Sequence, residues 1–291
     1  MIANRLHRAI VRAADAPVVD LTGTRMIVTG TAPGSIGGET ARLLREWGAE
    51  VITTNRAGQG VSHALDLGDA ASVRTFAAWV LREHGTVDVL VNNAGILLDL
   101  MRSWKQPKLL DGYESMWRVN YLGTTHLTHL LLPALAGGRV VNVVSTSHLR
   151  ATNAGLFGPD GDYSSYQAYG LSKLALMHAT TELNRRHPEI EAVSVHPGEV
   201  YTGIATAALA DHKLVSRVRG AMKPLEQFLF MTATEGAQTQ VMLASAPTIE
   251  RGAYYVRCKP AKPNPEALDA AVASRLWDTT QEWLTAQGVM A

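Results

Sequence analysis

Tyr169 and Lys173 are four positions apart in the segment Tyr169-Gly170-Leu171-Ser172-Lys173. On a helix, side chains at i and i+4 share a face, so a phenol and an ammonium can be aimed at one pocket. A free tyrosine ionises near pH 10 and is a poor acid-base group at neutral pH, at about three units from it. A fixed cation beside it stabilises the phenolate and lowers that value. The pair alone is weak evidence, because tyrosine and lysine at this spacing are common on helix surfaces. It acquires meaning from the polar groups that precede it along the chain.

The first of these is the turn Thr29-Gly30-Thr31-Ala32-Pro33-Gly34-Ser35-Ile36-Gly37. Glycines permit a tight turn and a close approach of backbone to a pyrophosphate. A helix starting at Ile36 presents free amides and a favourable dipole to an anion. The next strand ends Thr53-Thr54-Asn55-Arg56, without the acid that would bond adenosine ribose hydroxyls in an NAD site. Arg56 is suited to a 2′-phosphate, with Asn55 beside it, so NADP(H) is the expected cofactor and NAD(H) the lesser alternative.

The elements needed to position these groups are legible as alternation. Apolar strands are predicted at Arg25–Thr29, Glu50–Thr54, a short run ending near Asp66-Leu67, Val87–Val91, Arg139–Val144, Glu191–Val195 and Ala253–Val256. Helical periodicity covers about 36–48, 70–84, 113–132, Tyr169 to about Arg186, and 266–287. Short apolar strands alternating with amphipathic helices imply a parallel sheet covered on both faces, with right-handed crossovers. The expected fold is therefore α/β: one doubly wound Rossmann domain over 21–291 with about seven strands, preceded by an extension over 1–20. Segments 146–168 and 203–230 break the rhythm after strand ends, where such sheets bind ligands, and are candidate substrate loops.

Composition narrows the class. The chain has 291 residues, 46% hydrophobic and 18% charged, with net charge +1 and a single cysteine, Cys258. This is ordinary globular composition with no basic block, which argues against nucleic-acid binding. One cysteine forms no internal disulfide, which suits a reducing, cytoplasmic setting. Residues 1–14 form a basic amphipathic helix with Ile2, Leu6, Ile10 and Ala13 on one side. Such a helix can dock on its own domain or lie on an anionic membrane; docking is the favoured reading.

In combination these motifs resemble the short-chain dehydrogenases/reductases, and most closely the retinol-dehydrogenase-like branch, over about residues 20–290. The residues carrying the resemblance are the Gly-rich turn, Asp66-Leu67, Asn92-Asn93-Ala94-Gly95, Asn120, Ser145, Tyr169 with Lys173, Pro197-Gly198, Thr202 and Leu276-Trp277. Ser145 and Tyr169 are 24 positions apart, a long gap that fits the insertion of this branch.

The resemblance implies a role for each position. Asp66 would bond the adenine amino group and Leu67 would cover the ring. Asn93-Ala94-Gly95 would line the adenosine side. Pro197, Val200 and Thr202, following Gly198, would orient the nicotinamide carboxamide. Asn120 would hold a helix kink and a water linked to Lys173. Ser145, with Ser147 as runner-up, would polarise the substrate oxygen while Tyr169 exchanges a proton with it. Lys173 would lower the phenol and hold the ribose. The glycine spacing departs from the family by one residue, and Ser35 replaces the middle glycine; its hydroxyl is expected to face the phosphates.

The leading expectation is thus an NADP(H)-dependent oxidoreductase acting on a small-molecule carbonyl or alcohol, apolar given the Ala, Leu, Val and Met of 203–230. The resemblance suggests a homodimer or homotetramer. The rival is a scaffold or sensor that binds NADP(H) without turnover, since fold alone does not fix function. His126 and His129 are read as structural, His148 and His196 as neighbours of the site, and Cys258 as a packed thiol.

Overall fold

A computed structural model describes residues 2–11, 13–99, 103–158, 161–200 and 230–289, with the side chains of 2–6 excepted. Thr202 and segment 203–230, apart from Phe230, lie outside the described residues.

The strand β1 (Arg25–Thr29) shows why its sequence is continuously apolar. Met26 and Val28 point to one face, among Leu44 and Val241, while Ile27 points to the other, among Phe76 and Leu90. Both faces are covered, so alternation of polar and apolar residues has no place here. The same holds for β2 (Glu50–Asn55), β4 (Val89–Asn92), β7 (Arg139–Val143) and β8 (Glu191–His196). Together with β3 (His63–Ala64), β9 (Tyr254–Val256) and β10 (Lys259–Ala261) they form one eight-stranded sheet, ordered β10-β9-β8-β7-β4-β1-β2-β3. All neighbours are parallel except β10 with β9. The order reverses between β1 and β4, which opens a crevice at their carboxyl ends.

Helices α2 (Ile36–Glu46) and α6 (Ala233–Ser245) cover one face. Helices α3 (Ala70–Glu83), α4 (Thr124–Leu131), α5 (Ser165–Arg186) and α7 (Ala270–Ala286) lie on the other. α7 is keyed to its neighbours by polar as well as apolar contacts: Tyr121 Oη, just before α4, meets Thr280 Oγ1 at 2.7 Å, His129 Nε2 on α4 meets Gln281 at 2.7 Å, and Arg186 at the end of α5 donates to Asp278 at 2.8 Å.

The sheet matches the doubly wound architecture expected, and the structure adds to or departs from the sequence reading in the detail of several elements. The sheet has eight strands, because a two-residue turn at Arg257-Cys258 returns the chain as β10. Both turn residues have positive φ, at 50° and 59°, a conformation usually signalled by glycine or asparagine. Residues 113–114 pair with 109–110 as a small hairpin, β5 (Leu109–Leu110) with β6 (Tyr113–Glu114), instead of starting a helix. The helix then runs as a π-helical turn over Trp117–Gly123 before α4 proper. α6 was not anticipated; its small, polar sequence carries little apolar period, although Thr232 and Glu235 form a full capping box that signals its start.

The amino-terminal helix α1 (Ile2–Val11) buries a different face from the one expected. His7 and Val11 are buried, Ile10 is 44% exposed, and His7 Nε2 lies 3.0 Å from Glu235 Oε2 at the start of α6. Among the described residues no helix is long and apolar enough to cross a membrane.

The π-turn presses the chain onto the end of the β3 loop. A Cβ added to Gly123 would stand 2.1 Å from the Leu67 carbonyl oxygen, so one backbone must give way. Gly123→Ala is expected to cost about 2–4 kcal/mol by overpacking. Urea unfolding checks this; an unchanged midpoint would show that the Leu67 loop yields freely.

Candidate active site

The crevice is built from backbone first. Gly30 ends β1 with φ 73°, and a Cβ there would meet Ala94 Cα at 2.8 Å. A Cβ on Gly37 would meet Asn93 Nδ2 at 2.3 Å and the Gly30 carbonyl oxygen at 2.7 Å. The turn thus packs flat against the strand next to it, and only glycine fits. Asn93 fastens this contact: its amide donates to the Thr29 oxygen at 2.8 Å, and its carbonyl accepts from Gln240 Nε2 at 3.2 Å. Gln240, fully buried on α6, also accepts from Thr40 at 3.1 Å. It is a supporting residue that the sequence reading missed along with its helix.

Ser35 takes a different task from the one expected. Its hydroxyl donates to the Ala32 oxygen at 2.6 Å and accepts from the Gly38 amide at 3.0 Å, capping α2. Its proton is committed to that turn. The amides of Ile36 and Gly37 in the first turn of α2 are left as the anion-facing donors.

On the adenosine side, Asp66 Oδ1 accepts from the Gly68 amide at 2.8 Å. Leu67 is 5% exposed and belongs to the core with Phe76. Asn55 donates to the Gln59 oxygen at 2.8 Å, while its own Oδ1 is buried without a partner. Arg56 follows, exposed on the turn. Ala94 is pinned through its amide to Thr29 Oγ1 at 3.0 Å.

Four polar side chains converge beyond Gly95. Asn120 lies in the π-helical turn and clamps Ile96 from both sides, accepting from its amide at 2.7 Å and donating to its carbonyl at 2.8 Å. It also donates to Ser172 Oγ at 3.2 Å. Asn120 thus ties the π-helical turn to both the β4 loop and α5. Lys173 is 3% exposed and donates to the Val143 carbonyl at 2.9 Å. A Cβ on Gly95 would lie 3.2 Å from Asn120 Oδ1 and 3.4 Å from Lys173 Nζ, so both groups close on that glycine. Tyr169 is half-buried, Ser145 is near enough to act on its phenol, and Lys173 Nζ is 5.6 Å from its ring centre. Ser145 itself accepts from the Ser147 amide at 3.3 Å. Ser147, the alternative, is 2% exposed, and its hydroxyl is buried without a partner.

The loop that spans the long gap to Tyr169 is braced. His148 is fully buried, with Nδ1 2.5 Å from the Ser145 oxygen and Nε2 accepting from the Asn264 amide at 3.3 Å. It is a strut beneath Ser145, not a group facing a substrate. His196 lies 3.6 Å from Glu199, and Cys258 is held near Thr239 with its thiol pushed up by burial. Gly198, at φ 94°, is closed off by the Met231 sulfur, and Val200 bridges Met231. A separate cavity of about 570 Å³ lies between Pro107, Trp117, Leu156 and Leu171, and includes none of the four convergent side chains.

Electrostatically the pair differs from expectation. Burial pushes the Tyr169 phenol up to about 12, against the pull of the Ser145 hydrogen bond. Burial also pushes the Lys173 ammonium down to about 8. For both groups, desolvation of the charged form is the largest influence.

The short chain dehydrogenase family matches residues 24–213. The chain belongs to that family. It is 33% identical over 309 residues to retinol dehydrogenase 11 of Homo sapiens, covering 98% of this chain and 93% of the relative. It is 31% identical to the putative daunorubicin C-13 ketoreductase DnrU of Streptomyces sp. (strain C5), over 89% of this chain and 92% of that one. A short-chain type dehydrogenase/reductase structure from Mycobacterium marinum superposes with TM-score 0.57 and 23% identity, over 81% of this chain and 94% of that one.

As a short-chain dehydrogenase of the retinol-dehydrogenase-like branch, the protein is an oxidoreductase of a family that uses a nicotinamide cofactor. The residues present fit such a group. Gly34 is exposed with open space where a side chain would stand, α2 begins at Ile36 with first-turn amides that have no partner within the helix, and Asn55 offers a buried unpartnered acceptor at the end of β2.

Lys173 carries a stability consequence. Unfolded, the ammonium keeps its proton to about pH 10.5; folded, only to about 8. Below pH 8 the folded state therefore bears a penalty of about 3 kcal/mol, which disappears as pH rises toward 10.5. Lys173→Met removes that penalty but orphans the Val143 carbonyl, a loss of about 1 kcal/mol. The variant is expected to be about 2 kcal/mol more stable at pH 7, with the advantage gone by about pH 10.5. Thermal melts across that range check it; equal melting curves at pH 7 would contradict the buried-cation account.

Proposed function

We propose that the protein is an NADP(H)-dependent reductase or dehydrogenase of carbonyl and alcohol groups, working through Ser145, Tyr169 and Lys173. The observation that carries this reading is the convergence of Ser145, Tyr169, Lys173 and Asn120 around Gly95 at the carboxyl rim of β4 and β7. When bound, the nicotinamide cofactor supplies or accepts the hydride.

The chain's own residues handle the proton. Ser145 donates a hydrogen bond to the substrate oxygen. Tyr169 gives that oxygen its proton in reduction and removes it from the alcohol in oxidation. Lys173, itself buried, stabilises the phenolate that reduction leaves; the attraction between an ammonium and a phenolate strengthens as water is excluded. Asn120 acts as a positioning residue, fixing Ile96 and Ser172 so that the lysine and tyrosine hold their places.

Arg56, with no acid at the end of β2, supports the 2′-phosphate of NADP(H). Relatives named as a retinol dehydrogenase and a ketoreductase support an alcohol or ketone substrate, and the apolar composition of 203–230 supports an apolar one.

Oxidation of NADPH and NADH against a panel of aldehydes and ketones tests the reading. Tyr169→Phe is expected to lower turnover by at least about a hundredfold, in the range of general acid-base catalysis. Retention of activity in that variant refutes the assignment; cofactor binding without turnover on any carbonyl favours a non-catalytic NADP(H)-binding scaffold. Because burial holds the phenol protonated to about pH 12, alcohol oxidation is expected to climb with pH through the alkaline range while reduction does not. Arg56→Ala is expected to cut the NADPH-over-NADH preference about ten- to a hundredfold, the worth of one charge-assisted contact. An unchanged preference would place the 2′-phosphate elsewhere.

A further inference from the structure

Glu199 is a charge that the proposed reaction does not use. It lies two residues past Pro197, where the chain leaves β8, and its side chain is 67% exposed. Both of its close contacts use the same oxygen: Oε1 accepts from Thr146 Oγ1 at 3.4 Å and lies 3.6 Å from His196 Nε2. Thr146 directly follows Ser145 at the end of β7. The Glu199 carbonyl is pinned as well, accepting from the Met231 amide at 2.9 Å. The carboxylate therefore stands at the shared rim of β7 and β8, in contact with the residue that follows Ser145.

Its charge is felt there. It acts to raise both Tyr169 and Tyr254. The carboxyl is itself held below its usual range, first by the hydrogen bond to His196, then by Thr146 and by Arg257 on the β9–β10 turn, against burial. It is ionised at any pH at which the enzyme would be assayed.

A fixed anion at the mouth of a site acts on substrate choice. It repels a negative group carried near the reacting carbon and attracts a cation or a hydrogen-bond donor. We propose that Glu199 is a specificity-determining residue that excludes carboxylate-bearing carbonyl compounds and favours neutral or cationic ones. This rests on the reductase reading and names the substrate class of that same site.

The test compares wild type with Glu199→Gln on 4-formylbenzoate, benzaldehyde and 4-(trimethylammonio)benzaldehyde. Glutamine keeps an acceptor for Thr146, so a merely structural role leaves the relative preferences where they were. The expected result is a rise of about three- to tenfold in the kcat/KM ratio of the anionic to the neutral aldehyde, and a comparable fall for the cationic one. Both changes are expected to shrink in about 0.5 M salt, because the group is exposed and screened. A parallel calorimetric series with benzoate, benzamide and benzamidine reads the same selection without turnover. No turnover by wild type on any of the three aldehydes, with the calorimetric order shifted by the variant, overturns the reductase reading and leaves the charge selection standing. Ratios and binding order that are the same in both proteins overturn the charge selection.

Discussion

An ammonium held out of water is the constraint around which the rest of the crevice is arranged. Lys173 is 3% exposed, and burial alone moves it down to about 8. Such a group persists in a fold only if its neighbours satisfy it and the surrounding structure cannot collapse away from it. The Val143 carbonyl at the end of β7 supplies the fixed acceptor. Gly95 leaves room because any side chain there would press on Lys173 and Asn120 together. Asn120 reaches the same point only because the helix loosens to a π-turn between Trp117 and Gly123. An unfavourable backbone and an unfavourable burial thus occur at one place. Such coincidences cluster at functional sites, which is a reason to propose one here.

The sheet beneath explains how this arrangement stays rigid. Asn92 donates to Thr128 and to Asn142, Asn142 donates to Thr180, and Thr180 meets Ser194, each within 2.9–3.0 Å and buried. This polar chain runs under β4, β7 and β8, the strands whose ends carry the site. A fully satisfied buried network has one good geometry, whereas apolar packing alone tolerates several. The strands are thereby held in a register that fixes Gly95 and Ser145 relative to each other.

How much of this was legible from sequence divides along a physical line. β1 was bounded correctly because both faces are buried and its residues say so. The turn to α2 was legible because glycine is required where backbone touches backbone. What stayed hidden depends on partners distant in the chain. α6 is built from Ala, Thr, Gln and Gly, so no apolar stripe announces it, and Gln240 gains its role only when α2 and Asn93 are beside it. The return strand β10 was hidden because Arg257 and Cys258 adopt a turn conformation that their types disfavour. Ser35 was identified as polar and near the phosphates, but the choice between ligand and cap is settled by the Ala32 carbonyl 2.6 Å away. The i, i+4 spacing pointed to Tyr169 and Lys173 and the family resemblance to Ser145 and Asn120; the electrostatic balance at Tyr169 depends on burial, which neither contains.

The segment between Ser145 and Tyr169 shows how an insertion can be made structural. A loop of this length costs entropy to order, yet each doubling of length adds only about 0.6 kcal/mol to its closure. The larger need is for backbone partners. His148 and Asn264 meet that need at one end, and Asn264 also donates to the His148 and Ala151 oxygens at 2.7 and 2.8 Å. Further along, Asn153 donates from its amide to Glu266 at 2.8 Å and accepts from His178 at 2.9 Å. The insertion is therefore fastened to the segment that enters α7, and α7 lies against α5, the helix carrying Tyr169 and Lys173. The serine and the tyrosine are far apart in sequence, but the two ends of their connection close on the same helix. The carboxyl-terminal segment is consequently part of what places Ser145.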